Sequence, residues 1–312
     1  MARDWDGLAR DLLESKRESR TAVGLSTETD LSPLQVAALY APETAHDMLA
    51  TGIECDLHSA CALGLDEQIL SLSKATDLAE QVDGLPPLGW ALLASQVSAT
   101  KALLECGDKP DRELARIGFF VWETEAIGEG EWRPIHLSVT HGYSPQAPEL
   151  TEILVNAGAP LDTPCVLGEL PLHLACTYGW MAVISVLLKL GVDVDSRTLP
   201  CSEKVRRLSS PGEEPADHDI TPLMVAVREG KVEAAKLLLE RGADANARSA
   251  IGRSALHVAA NAWWQEDVQV VDVLLEAGAD PIAQDLNGRT ALDYAESRNF
   301  NQIAARLKSH IR

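Results

Sequence analysis

One short unit recurs along this chain, and its recurrence constrains the fold more than any other feature. Its cleanest copy, residues 219–248, reads DITPLMVAVREGKVEAAKLLLERGADANAR. Thr221 stands as a helix N-cap and Pro222 at the first helical position, where the missing N–H costs nothing. Leu223, Val225, Ala226 and Val227 give a buried first helix that Gly230 ends. Val232, Ala235, Leu237, Leu238 and Leu239 form the apolar face of a second helix, stopped by Gly242. Isolated helices shorter than ~12–15 residues are marginal in water, so neither member of the pair is stable alone.

The unit returns as Leu170-Pro171-Leu172-His173-Leu174-Ala175, as Ser254-Ala255-Leu256-His257-Val258-Ala259 and as Thr290-Ala291-Leu292-Asp293-Tyr294-Ala295. Weaker copies open at Pro134-Ile135-His136-Leu137, Pro87-Leu88, Leu57-His58 and Ser32-Pro33-Leu34. The first core residue of each copy falls at 34, 57, 88, 135, 172, 223, 256 and 292, giving intervals of 23, 31, 47, 37, 51, 33 and 36. This pattern resembles the ankyrin repeat, a unit of ~33 residues with a T-P-L-H-x-A signature. The resemblance covers residues 31–312 and is strongest over 168–295. It implies a mostly α solenoid of about eight stacked helix–turn–helix units with β-hairpin tips. The first two copies are degenerate, and the 23-residue interval is read as a truncated outer helix.

Departures from the repeat mark the rest of the organisation. Residues 1–30 are read as an N-terminal capping helix, with Trp5, Leu8, Leu12 and Leu13 on one face, and 31–312 as the solenoid. Two long insertions interrupt it. Residues 109–131 carry Phe119-Phe120-Val121-Trp122 and then Gly128-Glu129-Gly130, the pattern of a lengthened hairpin. Residues 196–219 are rich in proline, serine and both charges, which reads as a loop.

Several classes of function are disfavoured. A net charge of −20 opposes non-specific binding to nucleic acid or anionic lipid and suits a protein partner with a basic surface. No apolar run approaches the ~18 residues of a membrane span, and residues 1–20 are too charged for a secretory signal, so a cytoplasmic protein is expected. Six cysteines without metal-ligand spacing read as buried hydrophobes, so no metal or other cofactor is expected. His58, His136, His173 and His257 share one repeat position, where the resemblance implies a bond to backbone of a neighbouring turn. Nucleophile-elbow, P-loop, zinc-protease and dinucleotide motifs are all absent.

The resemblance also implies a contact surface on the concave side, built from tips and the ends of the first helices. At those positions stand Trp132, His141, Tyr143, Tyr178, Trp180, Arg228, Glu229, Trp263 and Trp264, in a chain where aromatics make up only 4%. Exposed tryptophan and tyrosine are the residues that anchor interfaces. The expected function is therefore a non-enzymatic protein-interaction module, a scaffold working through the groove of repeats four to seven. The alternative is a small-molecule acid–base enzyme in the same groove, a lyase, isomerase or cyclase using His141, Tyr178 and Glu169.

Overall fold

The computed structural model describes residues 7, 9–12, 31–82, 85–114, 132–140, 143–165, 167–200, 218–262 and 266–311. Sixteen helices are defined among them, in eight consecutive pairs. The first four pairs are α1 (Pro33–Tyr40) with α2 (Pro42–Ala50), α3 (Leu57–Leu63) with α4 (Asp66–Leu72), α5 (Pro87–Leu93) with α6 (Val97–Glu105), and α7 (Pro134–Thr140) with α8 (Ala147–Asn156). The last four are α9 (Pro171–Tyr178) with α10 (Met181–Lys189), α11 (Pro222–Arg228) with α12 (Val232–Glu240), α13 (Ala255–Ala260) with α14 (Val268–Glu276), and α15 (Ala291–Ser297) with α16 (Asn301–His310). The chain divides into two compact units, residues 1–160 and 161–312, each holding four pairs.

Within each unit the helices stack in two rows. In the first unit α1, α3, α5 and α7 pack in succession, and α4, α6 and α8 do the same alongside. In the second, α9, α11, α13 and α15 form one row and α10, α12, α14 and α16 the other. The first helices are the deeper ones. Leu172 and Leu223 are fully buried and Leu256 nearly so, each contributing about 1.5–3 kcal/mol relative to exposure. Stability therefore comes from contacts between neighbouring pairs, as expected for helices this short.

Local chemistry sets the ends of the rods. Thr221 Oγ1 accepts from the Met224 amide, and Thr290 forms a reciprocal capping box with Asp293. Gly179 closes α9 at φ +72°, and the stem of Lys231 lies 3.1 Å from where a Cβ would stand. Any larger residue there meets both backbone strain and that stem. Caps also cross between repeats. Glu266 Oε1 accepts the Gln302 and Ile303 amides at 2.6 and 2.8 Å, satisfying the start of α16 from the preceding repeat.

Two expectations change against the structure. The 23-residue interval does not shorten an outer helix, since α2 has nine residues. Only residues 51–56 separate α2 from α3, whereas 241–254 separate α12 from α13, so the tip is what is missing. The tips themselves form no strand among the described residues. They close by single antiparallel bridges, Val82 with Leu85, Leu114 with Trp132 and Gln284 with Thr290. Aspartate side chains turn the chain instead: Asp244 Oδ1 accepts the Asn246 amide and Asp280 Oδ1 the Ile282 amide.

Both insertions leave and re-enter through paired backbone. The Leu114 amide donates to Trp132 O at 2.9 Å, and the Thr198 amide to Ile220 O at 3.1 Å. The aromatic run 119–122 and the stretch 201–217 lie outside the described residues, as do most of residues 1–30, of which 7 and 9–12 are helical.

Candidate interaction surface

The residue just before each N-cap holds one structural register in the later repeats: Leu85, Trp132, Glu169, Ile220, Arg253 and Arg289. Leu85 is 2% exposed, Trp132 0% and Ile220 7%, so the register is a core position wherever its residue is apolar. This corrects the expectation for Trp132. Its indole does not face solvent; it meets His136 edge-on at 5.6 Å, in the first unit. Sequence reasoning had the signal to find this, because Leu85 and Ile220 stand in the same register.

Tyr143, in the same unit, is 66% exposed and lies just beyond the end of α7. His141 in the first unit, and Trp263 and Trp264 in the second, lie outside the described residues.

In the second unit the expected residues come together. Tyr178 ends α9 and Trp180 caps α10, and the tight Gly179 turn between them stacks the two rings at 5.9 Å with 14° between planes. Both are partly exposed. Beside them, at the end of α11, the Arg228 guanidinium bridges two carboxylates. Its Nε donates to Glu229 Oε1 at 2.8 Å and an Nη to Glu169 Oε1 at 3.3 Å. Glu169 is 9% exposed. Burial raises its pKa against the opposing pull of Arg228. Burial, and then the Glu169 charge, push the Tyr178 phenol upward as well. Tyr178 is thus a poor base near neutral pH, and Glu169 is committed to an ion pair. Cys165 beneath them is 1% exposed and its thiol is pushed up to about 12, which leaves it unreactive.

The histidines do structural work. His173 Nε2 lies 3.1 Å from Ile220 O, and His257 Nε2 3.1 Å from Arg289 O, each tying one first helix to the turn before the next. His58 Nε2 lies 3.2 Å from Glu80 O, in the turn that leads to α5. Among the described residues no group of three or more acidic, cysteine or histidine side chains is arranged to hold a metal ion. No described helix is long and apolar enough to cross a membrane.

Comparison with known sequences decides the family. A family profile described as "Ankyrin repeats (3 copies)" matches residues 201–285 and 223–311, and a second, "Ankyrin repeat", matches 167–196. The chain is an ankyrin-repeat protein. Both profiles fall in its second unit. It is 32% identical to Ankyrin repeat and SOCS box protein 11 of Mus musculus over 126 residues, which is 40% of this chain and 32% of that protein. It is 29% identical to E3 ubiquitin-protein ligase KEG of Arabidopsis thaliana over 126 residues, 40% of this chain and 7% of that one. The chain therefore spans about a third or less of the length of these relatives. Two solved structures share the fold. The ankyrin repeat domain of human ASB11 aligns with TM-score 0.58 at 23% identity, over 81% of this chain and 98% of that one. The ankyrin repeat domain of Bcl-3, a member of the IkappaB protein family, aligns with TM-score 0.56 at 22% identity, over 88% and 99%. These two likenesses extend the ankyrin fold to the early pairs, where the sequence pattern is weakest.

Proposed function

We propose that these ankyrin repeats form a non-enzymatic module that grips a protein partner through tip residues and the ends of the first helices. The contacts are His141 and Tyr143 in the first unit, and Tyr178, Trp180, Arg228, Glu229, Trp263 and Trp264 in the second. The observation that carries this reading is the Tyr178–Trp180 stack, two partly exposed rings held rigid by a glycine turn. Rigid aromatic pairs lose little conformational entropy on binding, which is what an anchor needs. Glu229 stands beside the pair, and the net charge of −20 steers a partner with basic groups toward it. The acid–base alternative has less support, since Glu169 is already paired with Arg228.

The test is affinity capture from a lysate of the source organism, followed by titration of the captured partner. Changing both Tyr178 and Trp180 to alanine is expected to weaken binding at least tenfold, while Tyr178→Phe retains it, because the ring and not the hydroxyl makes the contact. Equal affinity of the double variant and the parent would contradict the proposal. Loss of binding in Tyr178→Phe would point to hydroxyl chemistry instead.

A further inference from the structure

The register that is buried in repeats three to six changes character in the last two. Leu85, Trp132, Glu169 and Ile220 give way to Arg253 and Arg289. Both guanidiniums lie against one ring. The Arg253 Cζ is 5.1 Å and the Arg289 Cζ 5.7 Å from the centroid of Tyr294, in the first helix of repeat eight. Tyr294 also accepts from Arg253 Nε and Nη2 at 3.3 and 3.1 Å, and donates to Asp285 Oδ2 at 2.7 Å. A third cation, Arg298, ends the same helix and donates from Nε to Asn261 Oδ1 at 3.0 Å.

Each neighbouring carboxylate has hydrogen-bond or ion-pair partners of its own, and the Arg289 charge also acts on Asp293. Asp285 is 6% exposed and accepts the Asn287 and Arg289 amides through Oδ1 in addition to the tyrosine. Asp293 accepts both the amide and the hydroxyl of Thr290. Glu296 pairs with Lys308. Arg289 and Arg298 are exposed, and their guanidiniums are held in place by a ring and by an asparagine amide. The second helices of the other row expose Glu233, Glu240 and Glu276, away from these three cations.

We propose that the Arg253–Arg289–Arg298 face of repeats seven and eight docks a carboxylate-rich segment of a partner protein. Arginine forks match a carboxylate with two parallel hydrogen bonds, and fixing them beforehand lowers the cost of forming those bonds. Nucleic acid is the poorer occupant, because a chain of net charge −20 repels an extended polyanion beyond the few groups this face can reach. A short acidic peptide segment meets only the local field, which dies away within about 8 Å at physiological salt. This face is separate from the Tyr178–Trp180 anchor, so either proposal can fail without the other.

The test uses the full chain and a fluorescein-labelled octamer of alternating glutamate and glycine, read by anisotropy in 50 mM salt. The parent is expected to bind it, and the double variant Arg289→Glu, Arg298→Glu to bind at least tenfold more weakly. A control double variant, Lys236→Glu with Arg241→Glu, makes the same change in net charge on the second-helix row and is expected to lose less than threefold. Equal losses in the two double variants would reduce the effect to overall charge and overturn the proposal. So would tighter binding of the corresponding lysine octamer, or a phosphoserine octamer of equal charge binding tenfold more tightly than the glutamate one. Thermal melts of both variants, coincident with the parent, establish that the comparison is between folded proteins.

Discussion

Trp132→Ala is expected to destabilise the first unit by about 3–5 kcal/mol, the loss usual for truncating a fully buried tryptophan. The indole has no exposed surface and meets His136 edge-on, whereas the main-chain bond from the Leu114 amide to Trp132 O is kept in the variant. Removing it leaves a cavity beside the fully buried His136. Urea unfolding at neutral pH reads the effect as a lower midpoint, and Trp132→Phe is expected to recover a large part of it. An alanine variant within about 0.5 kcal/mol of the parent, with weakened partner binding, would restore the ring to the contact surface where the sequence alone had put it.

Acid is expected to weaken the second unit through His173. Its imidazole is fully buried, and that burial lowers its pKa to about 4 from 6.5. The unfolded chain therefore takes up a proton in a range where the folded chain does not. Stability is fully present above the unfolded pKa and falls as pH drops from about 6.5 toward 4, by about 3 kcal/mol in all. His58 and His257 are lowered too, chiefly by burial, and act in the same direction. Comparing the urea midpoint at pH 7 and pH 4.5 in the parent and in His173→Gln isolates the one group. The glutamine variant is expected to show a visibly shallower decline, and an unchanged decline would mean that His173 titrates normally.

What the sequence made legible follows from repetition. A cap, a proline, a leucine and a terminating glycine recur at Thr221-Pro222-Leu223 and Gly230, and each is a local rule that needs no knowledge of neighbours. Eight helix pairs were readable on that basis, and the structure has eight among its described residues. Non-local facts were harder. The 23-residue interval could shorten either a helix or a tip, and only packing of α2 against α1 shows that the helix is whole. Trp132 was read as outward because it precedes a helix, where a plain repeat carries a polar residue. Its burial depends on what lies across from it, Leu114 and His136, and the first of these is eighteen residues away in the chain. The contact between Arg228 and Glu169 spans 59 residues, and repeat register is what converts that distance along the chain into adjacency in the stack.

If the row of first-helix ends is the working surface, the amides there are the ones a bound partner protects. Hydrogen–deuterium exchange of the chain, alone and with its captured partner, tests this most directly. Slower exchange at residues 176–180 and 227–231 in the complex, with Met181–Lys189 and Val232–Glu240 otherwise unchanged, is the predicted result. Protection confined to those second helices would contradict it.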